Sequence, residues 1–90
     1  MIRKDPQYEQ SYLNLGMLYL DQDSIEMAKK QFDMLIKISP LHIRAYYFRG
    51  VSQELSGNND AALADYRQAV KLAPNFEAAI QGINRLEEVN

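Results

Sequence analysis

The sequence predicts an all-α molecule, a stack of antiparallel helix hairpins with about five helices making two and a half repeats. Three observations carry that prediction. The three prolines, Pro6, Pro40 and Pro74, stand 34 residues apart in succession. The same offset of 34 relates Tyr12 to Tyr46, Gly16 to Gly50, Ala28 to Ala62, Phe32 to Tyr66 and Lys37 to Lys71. Within each period, apolar residues recur at i, i+3, i+4 and i+7, the spacing of one helix face. A period of this length holds one helical hairpin, which buries its apolar face only by stacking on the next.

Taken in order, the chain enters in phase. Lys4-Asp5-Pro6 stands where Ile38-Ser39-Pro40 and Leu72-Ala73-Pro74 close the later repeats. The start therefore reads as part of a longer array, or as a small protein beginning at a repeat boundary. A first helix is expected from about Gln7 to Asp21, with Tyr12, Leu15, Gly16 and Tyr19 on its core face. Gly16 costs an isolated helix about 1 kcal/mol relative to Ala, so a neighbouring helix is expected to approach closely there. The polar turn Asp21-Gln22-Asp23-Ser24 follows, with Asp23 or Ser24 expected to cap the next helix through its side chain. The second helix, to about Ile38, buries Ile25, Ala28, Phe32, Leu35 and Ile36, small Ala28 set against large Phe32.

Pro40 stops that helix, having no N–H and disfavouring the helical conformation at Ser39. A third helix is expected from about Leu41 or His42 to Leu55, ending in Ser56-Gly57-Asn58-Asn59, where Gly57 suits a left-handed C-terminal cap. The fourth starts at Asn59 or Asp60, carries Ala62, Tyr66, Ala69 and Val70 inward, and ends before Pro74. In the second repeat Arg49 replaces Leu15 and Gln53 replaces Tyr19, which predicts a thinner core there. From about Asn75 to Val89 a single helix presents Phe76, Ala79, Ile80, Ile83 and Leu86 on one side and polar residues on the other. One apolar and one polar face are what the end of a stack requires.

The run Tyr12-x-x-Leu15-Gly16-x-x-Tyr19, followed by Ala28, Phe32 and Pro40, resembles the tetratricopeptide (TPR) repeat at nearly every signature position. The resemblance implies a right-handed superhelix, with one repeat over residues 9–42, a second over 43–76 and a C-terminal capping helix over 77–90. It further implies that the first helix of each repeat lines a concave, ligand-binding surface.

Composition narrows the function. With 47 % hydrophobic and 24 % charged residues the chain falls in the range of ordinary globular domains. No apolar run approaches the roughly 18 residues that span a bilayer, and residues 1–6 lack a signal peptide's apolar core, so the default expectation is cytoplasmic. The absence of cysteine rules out disulfides, a thiolate nucleophile and Cys-based zinc sites. A net charge of −2 disfavours nucleic acid, whose phosphates call for clustered Lys and Arg. No catalytic set, cofactor motif or metal-ligand spacing is found. His42 is expected to be structural or exposed, and Glu87-Glu88 and Asp21-Gln22-Asp23 read as solvated helix-end and turn residues.

The informative excess is apolar. Beyond the core stripe, Leu13, Met17 and Leu20 form a second set on the first helix, and Tyr47, Val51 and Leu55, with Phe48, repeat it on the third. By the TPR resemblance these are concave positions. Family members that clamp a C-terminal carboxylate do so there with Lys, Asn and Arg. This chain has Leu13, Met17, Phe48, Ala78 and Gly82 at those places, so that clamp is absent. The expected groove is Leu13, Met17, Tyr47, Phe48 and Val51, with Arg44 and Arg85 as polar anchors. Such a groove suits an apolar peptide or an amphipathic helix of a protein partner. The rival expectation is self-association, as a homo-oligomeric segment of a longer array.

Overall fold

In the computed structural model, which describes residues 6–89, five helices follow one another: α1 (Pro6–Asp21), α2 (Ile25–Ile38), α3 (Ile43–Leu55), α4 (Asn59–Leu72) and α5 (Glu77–Val89). Successive helices pack against each other, and α1 also touches α3. The result is an all-α stack measuring 41 × 28 × 18 Å. The residues expected upstream of Pro6 lie outside the described part of the chain.

Both hairpin turns close in the same way. Gly57, at φ 83°, ends α3; its N–H donates to the Glu54 carbonyl at 3.0 Å and that of Asn58 to the Gln53 carbonyl at 2.8 Å. This is the Schellman arrangement, and the left-handed residue is a glycine as expected. Thirty-four residues earlier, Asp23 takes the same position at φ 60°, with Asp23 N–H on the Leu20 carbonyl and Ser24 N–H on the Tyr19 carbonyl. Neither Asp23 nor Ser24 therefore caps α2 through its side chain. Asp23 serves as the C-terminal bend of α1, and Ser24, at ψ 68°, lies outside the extended region from which a hydroxyl reaches the first free N–H groups. His42 behaves differently. It is extended, at ψ 106°, and its Nδ1 accepts the Ala45 N–H at 3.2 Å, which caps α3.

The core forms two clusters, one per hairpin. Phe32 and Leu35 of α2 meet Leu13 of α1 and Ala45 of α3, all within 3 % of full burial. Tyr66 of α4, 1 % exposed, meets Ala79 and Leu86 of α5. The Tyr66 ring lies edge-on between two glycines: a methyl group on Gly50 would stand 2.8 Å from one edge, and one on Gly82 2.7 Å from the other. Gly82 thus does for α4 and α5 what close helix approach asks of Gly50 within the hairpin. The residue 34 before Gly82 is Phe48, whose ring instead stacks on Phe32 at 5.9 Å.

Two expectations about the core change. Leu15 is 38 % exposed rather than buried, because α1 meets the first core cluster through Leu13, Tyr12, Tyr19 and Leu20 instead. Nor is the second repeat thin at Arg49. The guanidinium makes two bonds to Asp65, at 3.0 and 2.9 Å, and one to Asp33 at 3.1 Å, joining α2, α3 and α4. The Asp65 side chain is 8 % exposed, so this pair replaces apolar packing with charge-assisted hydrogen bonds.

Candidate functional site

The 34-residue offset places Met17, Val51 and Arg85 at equivalent positions on α1, α3 and α5, and Leu13, Tyr47 and Gln81 at another. One row thus crosses three helices. Met17 is 39 % exposed, Tyr47, Phe48 and Val51 are half-buried, and Arg85 is exposed. Between α3 and α5 a cavity of about 530 Å³ is lined by Tyr47, Val51, Glu54, Leu55, Tyr66 and Arg85. Leu55, 60 % exposed, forms its apolar rim.

Leu13 does not belong to this surface. At 3 % exposure it packs with Phe32, Leu35 and Ala45, since the small Ala45 leaves the space between α1 and α3 for a larger side chain to fill. Phe48 and Tyr47 are shared between groove and core: Phe48 stacks on Phe32, and the Tyr47 ring meets those of Phe48, Tyr66 and Phe76 at 5.0, 5.8 and 5.2 Å. Arg44 lies apart. It is exposed near the N-terminal end of α3 and borders two smaller hollows, of about 420 and about 340 Å³, at the repeat boundaries.

The charges of the cavity are already matched. Arg85 Nε and one terminal nitrogen donate to the Glu54 carboxylate at 2.8 and 2.7 Å, and the Tyr66 hydroxyl donates to the same carboxylate at 2.8 Å. These bonds hold Glu54 below the usual carboxylate range, with Arg85 the larger cause. Burial first, and then the Glu54 bond, push the Tyr66 phenol upward. Arg85 is thus committed to Glu54 rather than presented as a free anchor. The sequence reading missed Glu54 and Tyr66 as lining residues. The signal available was Glu54's place in the row Leu20, Glu54, Glu88 at the same offset.

Among the described residues, no group of three or more His, Asp or Glu side chains is arranged to hold a metal ion. No helix among them is long and apolar enough to cross a membrane. His42, buried enough to lower its pKa despite Glu9 nearby, is occupied as a helix cap.

Stacked hairpins with a partly apolar face across their first helices define a helical-repeat unit of the protein-interaction class. The chain belongs to the tetratricopeptide repeat family: family models for that repeat match residues 9–40 and 43–76. Members of this family are typically non-enzymatic protein-interaction domains. Over 87 residues, 97 % of this chain, it is 28 % identical to anaphase-promoting complex subunit 3 of Schizosaccharomyces pombe. Over 75 residues, 83 % of the chain, it is 28 % identical to the human FK506-binding protein-like protein. The chain spans only 13 % and 22 % of the lengths of these relatives. Among solved structures, the Arabidopsis OM64 TPR domain superposes with a TM-score of 0.86 at 25 % identity, over 89 % of this chain and 66 % of that one. The TPR2AB domain of yeast Sti1, solved in complex with pHSP90, superposes at 0.89 with 22 % identity, over 94 % of this chain and 33 % of that one.

Proposed function

We propose that the chain is a non-enzymatic module that takes an apolar peptide or an amphipathic helix of another protein in the groove across α1, α3 and α5. The observation that carries this reading is the uneven filling of one row. Met17 stands 39 % exposed in that row, and next to the row Leu55, 60 % exposed, borders a cavity whose only charged pair, Glu54 and Arg85, is already satisfied. A ligand entering there meets apolar surface without stripping water from an unpaired charge. A terminal carboxylate finds no free cation in the cavity, so recognition rests on side chains of the ligand rather than on its end.

Each anchor that becomes fully buried contributes about 1.5 to 3 kcal/mol, so three or four support roughly micromolar binding after association costs. The test is fluorescence anisotropy with labelled amphipathic helical peptides bearing Leu or Phe at i, i+3, i+4 and i+7, against scrambled controls. Changing Met17 and Leu55 together to Asp, both exposed enough to leave the fold intact by circular dichroism, is expected to abolish the preference. Unaltered affinity in that variant excludes the groove.

A further inference from the structure

Three residues that line the cavity between α3 and α5, Glu54, Tyr66 and Arg85, have equivalents 34 positions earlier in Leu20, Phe32 and Val51. An apolar trio has become polar at every member. In the first repeat Phe32 is sealed, Leu20 packs against the first cluster and Val51 against the second. Apolar side chains therefore satisfy packing at this place in the stack, and an ion pair replaced by apolar residues is often neutral or stabilising. The fold does not call for the polar trio.

What the trio leaves unspent defines a ligand. A guanidinium carries five N–H donors, and Arg85 gives two of them to Glu54, through Nε and one terminal nitrogen. Its other terminal nitrogen has no hydrogen-bond partner among the described residues. The Glu54 carboxylate accepts those two bonds and one from the Tyr66 hydroxyl, which leaves free one of its roughly four acceptor sites. The Tyr47 hydroxyl belongs to the same cavity, close enough to Arg85 and Tyr66 to act on both electrostatically, and it too has no hydrogen-bond partner among the described residues. Donors and acceptors stand side by side, and the two charges cancel. A ligand carboxylate would set a second anion beside Glu54, and an ammonium a second cation beside Arg85. A neutral group that accepts at one atom and donates at another meets neither repulsion.

We infer that this cavity takes a side-chain carboxamide, Gln or Asn, carried by the amphipathic ligand helix beside its apolar anchors. The carboxamide oxygen accepts from Arg85 and its NH2 donates to the Tyr47 oxygen, while Val51 and Leu55 receive the methylenes. The inference rests on the groove reading above and adds a polar selectivity that apolar anchors alone do not give.

The probes are labelled helical peptides with Leu or Phe at i, i+3, i+4 and i+7, in which Gln, Ala or Glu is stepped through each remaining position. At one or two positions Gln is expected to lower the Kd about fivefold or more relative to Ala, as a hydrogen bond to a charged group does, and Glu to give no such gain. The ratio of the Ala to the Gln Kd is taken within each protein, so that a general change in affinity cancels. In the variant Glu54→Leu, Tyr66→Phe, Arg85→Val, which copies the first repeat, the ratio falls to about one. Tyr47→Phe removes a single hydroxyl and lowers the ratio about twofold or more, so the test stands even where the triple variant does not fold. Binding of the Ala peptides with no gain from Gln at any position overturns the carboxamide site, as does an equal gain from Glu or an unchanged ratio in either folded variant, and each of these leaves the groove standing. Absence of binding by every peptide removes the groove and the site together.

Discussion

At the residue scale, two positions show how little separates equivalent sites in a repeat. Gly57 and Asp23 close the same turn, yet only glycine takes that conformation without its Cβ crowding the backbone. Replacing Asp23 by Gly is expected to raise stability by about 0.5 to 1 kcal/mol, read from chemical denaturation. His42 shows the opposite kind of commitment. Its cap bond requires an unprotonated Nδ1, and burial holds its pKa below 6.5, with Glu9 of α1 opposing the shift and Arg44 reinforcing it. Because the folded value is the lower one, its contribution is complete above about pH 6.5 and is lost as the pH falls through the folded value. Denaturation at a series of pH values is expected to show stability falling from there. A second fall begins near pH 4.5, as Glu54 also titrates lower when folded. In the variant His42→Asn, which keeps a capping acceptor and does not titrate, the first fall disappears.

At the scale of elements, Arg49 fastens three helices that the apolar stripes alone would hold. Removing it leaves the Asp65 carboxylate, 8 % exposed, without its partner. Because Arg49 is itself 25 % exposed, water softens that cost, and Arg49→Ala is expected to lose about 2 to 3 kcal/mol rather than the larger figure for a sealed pair. A double-mutant cycle with Asp65→Ala checks this: a coupling energy above about 1 kcal/mol shows the two acting as a unit, and additivity excludes it. Gln53, the other departure in the second repeat, is half-buried and does not take part in this link.

For the whole molecule, α3 belongs to both clusters, through Ala45 and Phe48 on one side and Tyr46, Tyr47 and Val51 on the other. A chain this short buries only about 60 to 65 % of the surface it exposes when unfolded, so neither hairpin has stability to spare. Phe32→Ala and Tyr66→Ala are each expected to cost roughly 3 to 5 kcal/mol and to lower a single shared melting transition. Separate transitions in the methyl resonances of Leu35, in the first cluster, and Leu63, in the second, would show that the hairpins fold independently. Tyr66 carries the larger role, because its ring joins Gly50 to Gly82 and its hydroxyl holds Glu54, the partner of Arg85. Core and groove are therefore not separable at this residue.

The sequence by itself determined the helices, their order and the two buried rings, because a 34-residue offset and a helical spacing are properties of one dimension. It also determined the left-handed bend at Gly57 and the buried stripe Ala28, Phe32 and Leu35. Only the tertiary structure decided which face of α1 is covered. Leu13 and Leu15 are two residues apart and equally apolar, yet one is sealed and the other open, since burial depends on where the neighbouring helices lie. The same holds for Arg49 and Arg85. Their partners, Asp65, Asp33 and Glu54, stand 16 and 31 residues away, distances that no local pattern spans and that helix packing reduces to hydrogen-bond length.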